Sequence, residues 1–488
     1  MEPLFSVLAY AAFFFLVLAV FRRIRRVPAR VIPQPIIEIS DAAVTRRALI
    51  EYADAFSNRP MSMFRVPIVK GHRRRRSDNI ISAPYGPLWR TLRCNLAAET
   101  IHPTRYASYA PLRREAIDDI VASVQSAASK GRAVVVRDGL YAAVFSMIAR
   151  MCFGDGLVDE ADVRAMQCEF REFILAAVES TSTCESKLLA YWRRRQRDPI
   201  ALRHRLAELF LPLIEEARRQ SSPFCDGHAR SYVDSLIHLR VPDEDDDNDE
   251  HLRRALTEDE MVSLVLEFLG AGTETVVACV EWTLAHLVTR PEIQNKLRHE
   301  AIINIKYDGD GDNKYPSEDE EREILHQRGM APYLHAVVLE SLRMHPPTPF
   351  VMRDIRAEGG VVGQTAMPAG GLRVHFVLGD IGRDPKTWTD PDEFRPERFL
   401  AGGEGEAVGP LPGPKEIKMM PFGAGRRYCP GMALGMLNVK CLLAALVREF
   451  EWTEGDCGVD LTELDGFFKA MKKPLRARVT RHKCMQQA

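Results

Sequence analysis

The sequence has no Cys-x-x-Cys pair, no Gly- or Pro-rich linker, no internal repeat and no excess of either charge, and each absence removes a class of protein. Its ten cysteines are irregularly spaced, so neither a disulfide framework nor a zinc site is indicated. Reduced thiols in a cytosol-facing domain fit that pattern. Lys and Arg number 66 against 67 Asp and Glu, and a net charge near zero argues against a nucleic-acid footprint. No flavin or nicotinamide motif is present. The chain has 488 residues, 46% of them hydrophobic, enough to bury a large core. A length-based prior of about 150 residues per domain would divide it in three, but without linkers the reading is one large domain, residues 31–488, behind an N-terminal segment of residues 1–30.

Pro3 to Phe21 is almost unbroken Leu, Ala, Val and Phe, close to the ~20 apolar residues that cross a bilayer core. Arg22, Arg23, Arg25, Arg26 and Arg30 follow at once, whereas only Met1 and Glu2 precede. The positive-inside tendency then keeps the bulk of the chain cytosolic. A cleavable signal peptide would carry its positive charge before the apolar run, so a retained transmembrane helix is expected. Two charged stretches are read as solvated loops. Arg73 to Arg76 is one. The other, Asp308-x-Asp310-x-Asp312, imitates a calcium loop, but Asn313 stands where a glycine is needed, Asp319 where a glutamate is needed, and Pro316 interrupts it.

The most informative stretch is Pro421-Phe422-Gly423-Ala424-Gly425-Arg426-Arg427-Tyr428-Cys429-Pro430-Gly431. One cysteine sits in a glycine-rich loop, behind two arginines and ahead of a helix-like run. A thiolate is a strong axial ligand for haem iron, and it persists only where positive charge and backbone N–H groups stabilise the sulfur. Gly423, Gly425 and Gly431 permit close backbone approach, Pro430 suits a helix start, and a helix N-terminus after Cys429 favours an anion there. Taken alone, Cys429 would read as an ordinary buried thiol; its surroundings reverse that.

Other segments fit the same chemistry. Leu252 to Val288 has helical periodicity, with a start predicted at Thr257, Glu258 and Glu260. Its middle reads Leu269-Gly270-Ala271-Gly272-Thr273-Glu274-Thr275-Val276, where two glycines and the threonines are locally unfavourable in a helix. Such conflict marks either function or close helix packing. Glu340-Ser341-Leu342-Arg343 sets a carboxylate and a guanidinium three apart. Trp89 and Arg93 lie four apart on one helical face, and both donate well to carboxylates. Ile36-Ile37-Glu38-Ile39 reads as a strand.

The loop matches Phe-x-x-Gly-x-Arg-x-Cys-x-Gly at Phe422, Gly425, Arg427, Cys429 and Gly431, and thereby resembles the haem-binding signature of cytochrome P450. Ala271-Gly272-x-Glu274-Thr275 is similar to the oxygen-activation motif of that family, and Ile381 to Trp388 with Phe394 to Phe399 looks most like plant microsomal members. The resemblance implies a mainly α fold, a triangular helical domain with small β-sheets. It implies haem b (iron protoporphyrin IX) with Cys429 as metal ligand, a glycine kink at Gly272, and Glu274 and Thr275 relaying protons to bound oxygen. Val276 stands where a second hydroxyl residue commonly follows. Trp89, Arg93 and Arg427 would hold haem propionates, with Arg353 in place of a usual Pro-His or Pro-Arg pair. Glu340, Arg343 and Arg398 would form the structural triad behind the haem.

What the resemblance implies about activity is a monooxygenase that inserts one oxygen atom of O2 into a hydrophobic organic substrate. Electrons would come from NADPH through a membrane-bound NADPH-cytochrome P450 reductase. The location implied is the endoplasmic reticulum membrane, with the catalytic domain facing the cytosol. The front of the domain reads as shortened, because Val27 to Pro35 passes directly to the Ile36 strand. Two alternatives stand beside this reading. One is an isomerase or dehydratase on the same fold using no oxygen, against which Glu274 with Thr275 argues; the other is an inactive, shortened membrane protein with impaired haem binding.

Overall fold

The computed structural model describes residues 36–60, 79–181, 198–221, 231–243, 253–303, 331–355, 361–362, 365–366, 371–413, 415–464 and 466–482. The expected N-terminal membrane helix, the Arg73 to Arg76 cluster and the Asp308 to Asp312 stretch lie outside them. One described helix, Glu258–Val288, is long and apolar enough to cross a membrane, and it is mostly buried inside the protein.

In chain order the helices are α1 (Ala42–Arg46), α2 (Pro87–Asn95), α3 (Ala110–Ser129), α4 (Val136–Phe153), α5 (Glu160–Thr181), α6 (Pro199–Gln220), α7 (Tyr232–His238), α8 (Glu258–Val288), α9 (Pro291–Ile303), α10 (Pro332–Met344), α11 (Leu378–Gly382) and α12 (Met432–Glu449). The strands are β1 (Ile36–Ile39), β2 (Val134–Val135), β3 (Arg240–Pro242), β4 (Arg253–Ala255), β5 (Phe350–Ile355), β6 (Val361–Val362), β7 (Thr365–Ala366), β8 (Leu372–Val377), β9 (Phe450–Glu454) and β10 (Arg476–Arg481). The molecule is mainly helical with small sheets, as expected.

Helix α8 is the axis of the main core. It begins where the sequence predicts: the Thr257 side chain accepts the Glu260 N–H at 3.3 Å, and Glu260 returns a bond to the Thr257 N–H at 2.8 Å. Arg254 grips the same carboxylate at 2.7 and 2.8 Å. From there the helix runs uninterrupted to Val288, packed against α4 and α12. Its glycines are contact points: a Cβ on Gly270 would lie 2.9 Å from the Phe170 ring, and one on Gly272 would lie 3.0 Å from Ile148. The helix is continuous through Gly272, and both glycines sit in close contact with neighbouring side chains.

A second, smaller core lies under the sheet β1-β8-β5. Strand β8 alternates buried and half-buried residues, the period-two pattern of a sheet with one face inward. Leu372, Val374 and Phe376 meet Val351, Ile355, Leu49 and Phe56 there. The Ile36 strand pairs in parallel with β8, Ile36 opposite Arg373 and Ile39 opposite Phe376. Helix α10 starts on Pro332, with the Glu300 carboxylate of α9 accepting the Tyr333 and Leu334 N–H groups at 2.8 and 2.7 Å. That places the Glu340-x-x-Arg343 turn in the interior between α8, α12 and the Pro396–Phe399 turn.

Candidate active site

The Cys429 loop is shaped by two left-handed residues. Gly423 has φ +74° and Gly425 φ +69°, a region that L side chains enter at a cost. A Cβ on Gly425 would sit 2.2 Å from the Leu49 carbonyl oxygen, so the loop presses on the small core at that point. Gly431 differs from the expectation of close approach. Its φ is −86° and an added Cβ would meet nothing within 4 Å, so the backbone imposes no glycine; the residue borders open space. The helix follows at Met432, two residues later than Pro430 suggests, with Gly431 as its N-cap.

Cys429 donates its N–H to the Phe422 carbonyl at 2.8 Å, closing the loop. The residue is half-buried. Burial pushes its thiol up, against the Gly431 N–H that reaches the sulfur and the nearby Arg59 and Arg93 cations. An iron ion reverses that balance, since a coordinated thiol is deprotonated outright.

Around this sulfur the fold gathers arginines from distant parts of the chain. Arg427 donates Nε to the Ser57 carbonyl at 2.7 Å, Nη1 to Ile80 at 3.2 Å and Nη2 to Ala83 at 2.6 Å. Burial, then Arg59 and Arg93, bring its pKa down to about 9. Arg353, on β5, donates to the Met352 carbonyl at 2.8 Å and the Ala424 carbonyl at 3.5 Å. Its Nε is buried without a hydrogen-bond partner. Burial, Arg59 and Arg427 hold this guanidinium well below the usual arginine range. Arg59, unsuspected from sequence, donates to the Arg427 carbonyl at 3.0 Å. No local pattern marks it: its partner is 368 residues away.

Trp89 and Arg93 do lie on one face of α2, but their donors point differently from the expectation. The Trp89 N–H is taken by the Ile80 carbonyl at 3.1 Å. The Arg93 guanidinium lies over the Tyr428 ring at 4.7 Å and the Trp89 ring at 5.5 Å. The site thus brings together several mutually repelling cations, an orphaned arginine nitrogen and a cysteine. A planar ligand with two carboxylates and a thiophilic metal satisfies each of these deficits, and haem b is such a ligand.

On α8, Ala271 is exposed and Gly272 and Thr275 are half-buried, in a helix that is otherwise largely buried. The Thr275 hydroxyl donates to the Ala271 carbonyl at 2.9 Å. The Glu274 carboxyl faces α4 and α5. Burial raises its pKa to about 7, against the pull of Arg171, Arg137 and the Tyr141 phenol. The Tyr141 oxygen makes no hydrogen bond of good geometry. A carboxyl so poised exchanges a proton near neutrality.

Behind the thiolate loop the three residues expected to form a triad do meet. Glu340 takes Arg343 bidentately at 2.7 and 2.9 Å and Arg398 Nε at 3.1 Å, all with fully buried side chains. The Arg395 N–H adds a fourth bond at 2.8 Å. Arg343 also donates to the Gly382 and Pro391 carbonyls at 2.9 and 2.8 Å, and Arg398 binds Glu404 and the Thr389 carbonyl. A separate surface cleft of about 660 Å³, between Ser40, Pro349, Arg383 and Lys469, is lined by none of these residues.

Comparison with known proteins agrees with this geometry. A cytochrome P450 family model matches residues 27–480. Cytochrome P450 89A9 of Arabidopsis thaliana is 33% identical over 453 residues, 91% of this chain and 84% of that protein. Amorpha-4,11-diene 12-monooxygenase of Artemisia annua is 28% identical across 88% of this chain and 79% of its own length. A zebra fish cytochrome P450 solved with progesterone superposes with a TM-score of 0.72 at 21% identity, covering 92% of this chain and 94% of that one; that likeness concerns the fold. The chain belongs to the cytochrome P450 family and is an enzyme of its monooxygenase class.

Proposed function

We propose that the chain is a membrane-anchored haem-thiolate monooxygenase that hydroxylates or otherwise oxygenates a hydrophobic organic molecule with O2 and electrons originating from NADPH. The observation that supports this most is the cluster of Arg59, Arg93, Arg353 and Arg427 around Cys429, with the Arg353 Nε buried and unpartnered. Bound haem supplies the oxygen chemistry, and a cysteine thiolate ligand favours O–O cleavage. Cys429 Sγ would be the metal ligand, steadied by the Gly431 N–H. Arg353, Arg427 and Arg93 would be donors for the two carboxylates, whereas the Trp89 N–H is already taken by the Ile80 carbonyl. Phe422, half-buried at the start of the loop, adds an apolar wall.

Proton handling falls to α8. Glu274, with its pKa raised to about 7, holds a proton or releases it at working pH. The Thr275 hydroxyl gives its hydrogen to Ala271, leaving its oxygen free to accept. This acid–hydroxyl pair favours oxygen use over isomerase chemistry. The Glu340–Arg343–Arg398 group touches no reacting atom; its role is to fix the floor on which the Cys429 loop rests.

Electrons require a partner, since no flavin or nicotinamide motif occurs in the sequence. Arg426 of the thiolate loop and Arg90 of α2, both exposed, lie 5.0 and 5.1 Å from the Tyr85 ring. An acidic NADPH-cytochrome P450 reductase surface would complement them. Relatives named for amorpha-4,11-diene and germacrene A support an apolar substrate. The Pro3 to Phe21 run is assigned to an endoplasmic reticulum anchor with the domain in the cytosol.

The deciding measurement is the difference spectrum of the reduced, haem-loaded protein with carbon monoxide. A thiolate-ligated band is expected from the parent and none from Cys429→Ser. A Cys429→Ser protein with the parent's band would overturn the assignment.

A further inference from the structure

Helix α8 carries another carboxylate turned toward the protein, Glu267, two turns before Glu274. Glu267 Oε2 accepts the Ile80 N–H at 2.9 Å, and Oε1 accepts the Ile81 N–H at 2.5 Å. The peptide plane that joins Ile80 to Ile81 is loaded at its other end as well. Its carbonyl accepts the Trp89 indole N–H at 3.1 Å and Arg427 Nη1 at 3.2 Å. One peptide bond therefore stands between a carboxylate and these two donors. Hydrogen bonds at opposite ends of a peptide polarise one another and strengthen together.

The turn that contains this peptide is closed on itself. The Ala83 N–H donates to the Asn79 carbonyl at 2.8 Å, and the Ser82 N–H to Asn79 Oδ1 at 2.9 Å. What remains to be fixed is its seating on the body, which Glu267 supplies from one side and Arg427 and Trp89 from the other. Arg427 reaches a second carbonyl of the same turn, Ala83, at 2.6 Å. The charged and titratable groups facing Glu267 are Arg59, Arg427 and Tyr232. Burial lifts the carboxyl to about 7 even against the two N–H bonds and both arginines, because ionising it there carries a desolvation cost.

We propose that Glu267 is a positioning residue for the cofactor seat: through the Ile80–Ile81 peptide it fixes the orientation of Arg427 and Trp89, and thereby how firmly haem is held. This rests on the haem-thiolate reading above. It assigns Glu267 no contact with reacting atoms.

The test uses the full chain with Glu267→Gln and Glu267→Leu. Amide hydrogen exchange is followed over 79–89, with Pro332–Met344 as internal reference, and haem loss is followed by transfer to apomyoglobin. Losing a hydrogen bond to a charged group predicts roughly ten-fold or faster exchange at Ile80 and Ile81, unchanged exchange in the reference helix, and haem transfer several-fold faster. Leucine should not rescue either readout, which separates positioning from mere filling of space. If Glu267→Gln does not fold, Trp89→Phe removes a donor from the same peptide and should speed exchange at Ile81 and haem loss together. If both fold, the double variant should be less than additive. Parent-like exchange at 79–83 overturns the proposal, and so does accelerated exchange with haem transfer unchanged. A parent that never shows the thiolate band sinks the haem reading itself, whereas a parent with the band and indifferent to Glu267→Gln sinks this inference alone.

Discussion

Two glycines of the thiolate loop should behave oppositely when a methyl group is added. At Gly425 the φ of +69° and the 2.2 Å approach to the Leu49 carbonyl oxygen both resist a side chain. The left-handed conformation costs about 1–2 kcal/mol for an L residue. Contacts under 3.0 Å essentially never occur for a real Cβ, so the loop and α1's neighbouring turn must separate by the difference, 3.0 − 2.2, or 0.8 Å. Both opposing atoms are backbone, and neither can rotate away. Together these give a loss on the order of 2–4 kcal/mol for Gly425→Ala. Gly431→Ala meets nothing within 4 Å and has an ordinary φ, so its stability should stay within about 0.5 kcal/mol of the parent. If the open space beside Gly431 is where the cofactor lies, however, that variant should lose haem uptake. Urea unfolding of the haem-free protein, read by tryptophan fluorescence, and titration with hemin distinguish the two effects. A Gly425→Ala protein that unfolds at the parent's urea concentration, or a Gly431→Ala protein that takes up hemin as the parent does, would refute the reasoning.

Glu340→Gln leaves Arg343 and Arg398 buried beside a neutral amide, and breaking a buried ion group by removing one partner costs about 3–5 kcal/mol; folded yield and urea midpoint should fall sharply, and a change below ~1 kcal/mol would contradict the triad's structural role. Arg353→Met should move two readouts in opposite directions: the haem-free protein holds its stability or gains some, because a buried cation facing Arg59 and Arg427 is removed, while hemin affinity drops. The Glu274 carboxyl has a folded pKa raised to about 7, so its contribution to stability is complete below its ordinary pKa near 4.5 and is lost as pH rises through about 7. Glu274→Gln should flatten the stability curve across that window and remove a limb near pH 7 from the turnover profile; a profile superposable on the parent's would exclude Glu274 from proton transfer.

Much of this site is legible in the sequence because certain chemistry demands fixed local spacing. A guanidinium meets a carboxylate one helical turn away, so the Glu340–Arg343 pair follows from spacing, whereas its burial with Arg398 is implied only by the family resemblance. A loop that turns twice through left-handed space needs glycine at Gly423 and Gly425, so the cysteine behind them stands out. The start of α8 at Thr257 follows from its capping residues in the same way. Arg59, Ile80 and Glu267 had no such signature. Their partners lie 368, 347 and 187 residues away, and what joins them is a carbonyl or an N–H that every residue possesses. The Trp89 donor illustrates the same limit, since its residue type foretold a hydrogen bond but not its direction: the acceptor is a backbone oxygen of a turn that carries no motif.

The division between legible and illegible follows the physics of charge burial. A buried ion must be paired or bonded, and local motifs show where ions are placed but not how their charge is balanced. Here Cys429, Arg427 and Arg353 are locally marked, whereas Arg59 and Glu267 set the balance among them and are found only when the chain is folded. It follows that substitution at a motif residue should abolish cofactor binding, while substitution at a balancing residue should tune its strength and its dependence on pH. The site is therefore best described as a marked centre whose affinity is adjusted by unmarked residues brought in from three separate segments, near Arg59, Ile80 and Glu267.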